Sequence, residues 1–176
     1  MIAQNSSKDL EGLLVVTVEQ AVAAPYTSCR LYDAGARVIT VERAEGDFAR
    51  NYDSNALGNS AYFVWLNRGK ESIALDLKNK EDMPIFENII SKSDILIQNL
   101  APGAFERLGL DLKELRLKYP SLITCSISGF GDEGPYKNQT AYDMLIQAET
   151  GVIDITCLPD KEGFDGRAKV GPSVCA

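Results

Sequence analysis

The run LLVVTV, Leu13–Val18, decides how the rest of the chain reads. Six consecutive apolar or β-branched residues without polar alternation describe a strand covered on both faces, as parallel sheets require. A short connection, EQAVAAPY (19–26), follows; Pro25 suits the first turn of a helix and Gly35 its C-terminal cap. Tyr26, Cys29 and Tyr32 fall at i, i+3 and i+6, a spacing that lets them share one helix face. Val38–Val41 then returns to strand. Strand, helix and strand within about 30 residues is the size of a βαβ unit.

Working outward, the alternation continues. Ile73–Leu77 reads as a strand. Met83–Ile90 reads as a helix with Pro84 in its first turn and Ile85, Phe86, Ile89 and Ile90 on one side. Ile95–Ile97 is a short strand, Asp111 is the N-cap of a helix ending before Pro120, and Leu122–Ile127 is a further strand. A glycine-rich loop, GFGDEGPYKNQ (129–139), leads to a helix through AYDMLIQAE (141–149) that stops at Gly151. Strands alternating with helices predict an α/β fold: a mostly parallel sheet with flanking helices.

Composition narrows the chemistry. The length of 176 residues suits one domain, and no internal repeat or linker divides it. There is no histidine, which removes Ser-His and Cys-His nucleophiles, histidine metal sites and the commonest general base. The formal charge of −7 argues against nucleic-acid and anionic-membrane partners. Cysteines at 29, 125, 157 and 175 form no ligand-like spacing, so reduced thiols and no metal are expected. No apolar run reaches the length of a membrane span, and MIAQNSSKDL lacks the pattern of a secretory signal; a cytoplasmic protein is expected.

Taken singly, the polar motifs have modest content. The 19–26 connection lies where α/β sheets bind ligands, at the carboxyl end of a parallel strand, but it holds no GxGxxG. Glu42 ends the second strand at the place of a ribose-binding acid, though without the glycines it reads first as a solvated strand-end carboxylate. Arg43 beside it offers a guanidinium to a phosphate. In NRGKES (67–72), Arg68 and Lys70 flank a glycine: a basic turn first, a phosphate clamp second. Asn99 and Arg107 bracket APGAFE, a short helix with Pro102 at its start and equally an ordinary turn. Asp143 is a carboxylate in a partly apolar setting beside Tyr142.

Taken together, seven stretches resemble family III of the CoA-transferases, the group that includes formyl-CoA transferase and carnitine-type CoA-transferases. They are EQAVAAPYTSCRLYDAGARVITVER, GDFAR, NRGKESIALDLK, IQNLAPGAFERLGLD, LITCSISGFGDEGPY, AYDMLIQAETG and KVGPSV, in the family's order. The resemblance implies a large domain with a Rossmann-like core and coenzyme A lying along the carboxyl ends of its strands. It implies that Arg43 contacts the CoA nucleotide, that Lys70 lies near its phosphates and that Arg107 binds a CoA phosphate. Asn99 and the Pro102–Gly103 turn would line the cofactor. The implied reaction moves CoA from an acyl-CoA to a carboxylic acid through an aspartyl adduct, a carboxylate serving as covalent nucleophile. A homodimer is implied for the complete protein.

One departure qualifies that expectation. Counting along KVGPSV, Cys175 occupies the intervening position and Ala176 stands where the family has its nucleophilic aspartate. Asp143 matches a supporting carboxylate, and Tyr142 stands where the related racemases carry a histidine. Residues 1–176 therefore read as the N-terminal part of the family's large domain, incomplete, without its small domain and C-terminal return. The chain is expected to be a fragment or inactive form with no catalytic nucleophile of its own. The alternatives are a noncatalytic CoA-binding or dimerisation module and, further off, a nicotinamide-dinucleotide-binding domain.

Overall fold

The computed structural model describes residues 8–152. The chain divides into two units, one through Ile127 and one from Ser128 onward. The first unit carries a five-stranded sheet in the order β3-β2-β1-β4-β5, and every adjacent pair is parallel. The strands are β1 (Leu14–Val18), β2 (Arg37–Glu42), β3 (Glu71–Ala74), β4 (Ile95–Gln98) and β5 (Ile123–Ser126). Between them run α1 (Ala23–Asp33), α2 (Ala61–Asn67), α3 (Met83–Ile90), α4 (Ala104–Arg107) and α5 (Leu112–Lys118), with a 3-10 turn at Phe48–Asn51.

The unbroken apolar run of β1 is explained by what covers it. Side chains alternate between faces along a strand. Val15 enters a core with Ala24, Ala36, Val38 and Ile97, whereas Val16 and Val18 enter another with Val41, Phe86, Ile90, Leu96, Phe105 and Leu115. The first core holds α1 against one face; the second takes the apolar sides of α3, α4 and α5. Two covered faces leave no polar position in a central strand, which is why LLVVTV shows no alternation.

Two expectations shift. The third strand is Glu71–Ala74 rather than Ile73–Leu77. Its partner β2 ends at Glu42, paired with Ala74, and Leu75 donates the last bond to the Glu42 carbonyl at 2.9 Å. Asp82 and Asp76 side chains then accept from the amides of Asp76 and Lys78 and turn the chain, while Leu75 and Leu77 stay buried outside the ladder. Helix α2 has no counterpart in the sequence reading. Four of its seven residues, Tyr62, Phe63, Val64 and Trp65, are aromatic or β-branched and only middling helix formers. Ser60 caps it, accepting from Phe63 N, and Asp53 accepts from Ala61 N. Tyr26, Cys29 and Tyr32 do share the face of α1 turned toward α2 and the turn after it. Tyr26 packs on Trp65 at 6.0 Å between ring centroids, Cys29 Sγ lies 3.7 Å from Trp65 O, and the Tyr32 ring lies against Gly69.

In the second unit, α6 (Asp143–Glu149) forms where a helix was expected. Gln147 Nε2 donates to Asp143 Oδ2 at 2.6 Å, one helical turn apart, and Asp143 Oδ1 is buried with no hydrogen-bond partner among the described residues. KVGPSV, Cys157, Cys175 and Ala176 lie outside the described residues.

Candidate functional site

In an open parallel sheet the crevice that takes ligands opens at the carboxyl ends of the strands, where the strand order reverses. Here that switch lies between β1 and β4. The connections leaving these two strands are Glu19–Val22 and Asn99–Gly103, and their residues are tied to one another.

Asn99 clasps Gln20 from across the switch. Its Oδ1 accepts from Gln20 N at 2.8 Å and its Nδ2 donates to Gln20 O at 2.9 Å. An amide side chain offers both a donor and an acceptor, so one Asn satisfies both polar groups of one backbone residue. Next along, Ala21 N donates to Asp47 Oδ2 at 2.9 Å, while Asp47 Oδ1 accepts from Ala49 N at 2.9 Å.

Beneath them sits an ion pair. Lys70 Nζ lies 2.8 Å from Glu19 Oε1, with side-chain exposures of 2% and 1%. The ammonium also donates to the carbonyl of Pro25 at 3.0 Å and to Asn67 Oδ1 at 3.1 Å, so its three donors have three acceptors. Ser28 Oγ donates to both Glu19 oxygens at 2.8 and 2.9 Å, and Thr40 Oγ1 approaches at 3.4 Å. Sequence reasoning set Lys70 beside a cofactor phosphate. The structure sets its ammonium inside the fold, on a carboxylate from the β1 end.

A cavity of about 140 Å³ adjoins this pair, lined in part by Glu42, Asp47, Arg50, Phe63 and Ser72. Arg50 Nη2 reaches Glu42 Oε1 at 2.6 Å, and its guanidinium lies over the Phe63 ring at 4.0 Å. Burial works to raise the Glu42 pKa, but hydrogen bonds from the Ser72 hydroxyl and the Arg50 guanidinium, with that charge, hold it below the usual range. Glu42 is thus an ion-pair partner. The sequence offered no signal for this role beyond a downstream arginine in GDFAR.

Arg43, one residue beyond β2, is exposed, and its side chain has no hydrogen bond or ion pair among the described residues. Arg107 is exposed too and folds back over the loop before α4: Nη1 donates to Pro102 O at 3.3 Å. Gly103 makes room for it. The residue has φ +68°, and a Cβ there would stand 2.9 Å from Arg107 Nη1. Asn99, Pro102, Gly103 and Arg107 are thereby brought together on one connection. Arg43 stands at the end of the strand beyond β1, and Asp143 belongs to the second unit. Among the described residues no helix is long and apolar enough to cross a membrane.

A parallel sheet with helices on both faces and a crevice at its switch point defines a doubly wound α/β domain, here with the exposed guanidinium groups of Arg43 and Arg107 making no ion pair among the described residues. The comparisons give it a family. Residues 10–175 match the model of CoA-transferase family III, and the chain belongs to that family. Acetyl-CoA:oxalate CoA-transferase of Acetobacter aceti is 41% identical over 151 residues, 85% of this chain and 39% of the relative. Succinate–glutarate CoA-transferase of Agrobacterium fabrum is 36% identical over 165 residues, 89% of this chain and 41% of the relative. A crystal structure of a CAIB/BAIF family protein from Brucella suis superposes with a TM-score of 0.82 at 37% identity, covering 93% of this chain and 44% of that one. The chain spans about two-fifths of the length of these relatives.

Proposed function

We propose that this chain supplies the CoA-binding wall of a CoA-transferase whose reaction moves CoA from an acyl-CoA to a carboxylic acid. The observation that carries the reading is the pair of guanidinium groups, Arg43 and Arg107, unneutralised at the carboxyl side of a parallel sheet in a chain of net charge −7. Arginine suits the task because its planar fork meets phosphate oxygens in pairs. Asn99 and the Pro102–Gly103 turn lie along the ligand in this reading. Lys70 supports the site by holding Glu19, since its donors already have acceptors. Free Cys29 and Cys125 accord with a reducing, cytoplasmic setting.

Hydrogen bonds to charged groups are worth about 1.5–3 kcal/mol. Arg43→Ala and Arg107→Ala should therefore each weaken CoA binding by roughly 10- to 100-fold in calorimetric titration. Unchanged affinity in both variants would remove the reading.

In the same reading the chain carries no nucleophile of its own, because Ala176 holds the aspartate's position and a methyl group cannot attack a thioester. Burial pushes the Cys29 thiol pKa up, which disfavours the reactive thiolate. Incubated with succinyl-CoA and oxalate, the chain should show no acyl or CoA adduct by mass spectrometry and no transfer. Turnover above background would refute this part.

A second reading, a noncatalytic CoA-binding module that pairs with a copy of itself, rests on an exposed aromatic row. Phe48, Tyr52, Tyr62, Trp65 and Tyr26 follow one another at centroid distances of 5.8–6.2 Å, each 36–48% exposed. Sedimentation at rising concentration separates the two readings, since only the second requires a dimer of this chain.

A further inference from the structure

Glu19, Gln20 and Ala21, just past the carboxyl end of β1, are each gripped by a different residue from elsewhere in the chain. Lys70 holds Glu19, Asn99 holds Gln20, and Asp47 holds Ala21. Ala21 is the member that needs holding. Its φ is +61°, in the left-handed region, although it carries a Cβ. An L-residue gives up roughly tenfold in population to stand there, and only surroundings that over-determine the backbone keep it so.

Asp47 is built for that hold. It is buried, its Oδ2 takes the Ala21 amide, and its Oδ1 is anchored by Ala49 N. Its own amide donates to Glu42 Oε2 at 3.2 Å, and Glu42 is tied to Arg50 and Ser72. The carboxylate therefore cannot follow Ala21 if the turn relaxes. On the other side of the same peptide, Asn99 fixes Gln20, so a relaxation at Ala21 must move the chain that follows it, toward Val22 and the start of α1.

From this geometry we infer that Asp47 is a positioning residue for the CoA site. It acts on the ligand only by locking Ala21 left-handed, which sets the path of the β1–α1 turn beside the switch-point crevice. The inference rests on the CoA reading for its binding arm and on Ala21 alone for its conformational arm.

Both arms use the whole chain. By NMR, the Ala21 three-bond HN–Hα coupling and Cα shift should report a left-handed residue in the parent and an ordinary right-handed or extended one in Asp47→Ala. In calorimetry with CoA, Asp47→Ala should weaken binding about tenfold. In an Ala21→Gly background the same replacement should cost less than threefold, because glycine adopts positive φ without penalty. A purely structural role for Asp47, through its cap on Ala49, would cost the same in both backgrounds.

An Asp47→Ala variant in which Ala21 keeps its left-handed signature overturns the inference, as does an equal loss of affinity in the two backgrounds. If Asp47→Ala does not fold, Asp47→Asn carries the test. It retains one acceptor oxygen for two amides, and it should loosen Ala21 partially and be rescued by Ala21→Gly in the same way. If the parent does not bind CoA, the CoA reading fails and the NMR arm alone still decides whether Asp47 locks the turn.

Discussion

Lys70→Met should destabilise the protein by about 3–5 kcal/mol, the cost of leaving one charge of a buried pair without its partner. The Glu19 carboxylate would then sit 99% out of solvent, with only the hydroxyls of Ser28 and Thr40 to receive its charge. Methionine keeps most of the lysine stem's volume, so packing contributes little to the loss. Urea unfolding measures it as a drop in midpoint at unchanged slope. The double variant Glu19→Gln/Lys70→Met should recover at least half, because a neutral amide is far cheaper to bury than an unpaired carboxylate. A loss below about 1 kcal/mol in the single variant would mean that water or a rearranged donor reaches Glu19 and that the pair is not the keystone of the turn.

Gly69→Ala should rank next, at about 2–5 kcal/mol. Two separate causes add. Gly69 has φ +72°, where an L-residue loses about 1–2 kcal/mol. A Cβ there would also fall 1.9 Å from Tyr32 Cζ, and driving the ring aside costs about 1–3 kcal/mol more. Tyr32 leans on the NRGK turn from α1, so the same turn that presents Lys70 to Glu19 is packed against the helix whose entry it stabilises. Repeating the replacement in a Tyr32→Leu background should remove the collision and leave the backbone strain. If Gly69→Ala costs the same with leucine at 32, the overlap with the ring is not what makes glycine necessary.

Both predictions concern the support of the site, and this is where the sequence was least informative. Arg43 and Asn99 could be singled out because each lies just past an apolar strand, a position that parallel sheets expose. Pro102, Gly103 and Arg107 follow on the connection and short helix after β4, inside a stretch that carries the family resemblance. Glu19 and Lys70 lie 51 positions apart, and nothing in the local pattern of either marks it as buried. Asp47 resembles any polar residue after a glycine. Its role depends on Ala21, 26 residues earlier, having taken a conformation that an alanine does not announce. The shift of β3 has the same origin: Ile73–Leu77 is apolar enough for a strand, but the ladder stops where β2 stops.

The sequence by itself determined the parallel α/β class, the succession of its strands and the family, because strand burial, capping residues and turn glycines leave local, periodic traces. The tertiary structure decided which charges are buried and which are free. Lys70 and Arg43 are both cations beside strand termini, yet one is bonded into the fold and the other is open to solvent. That difference comes from desolvation and pairing across 20 to 80 residues of chain, contacts that exist only once the sheet has closed.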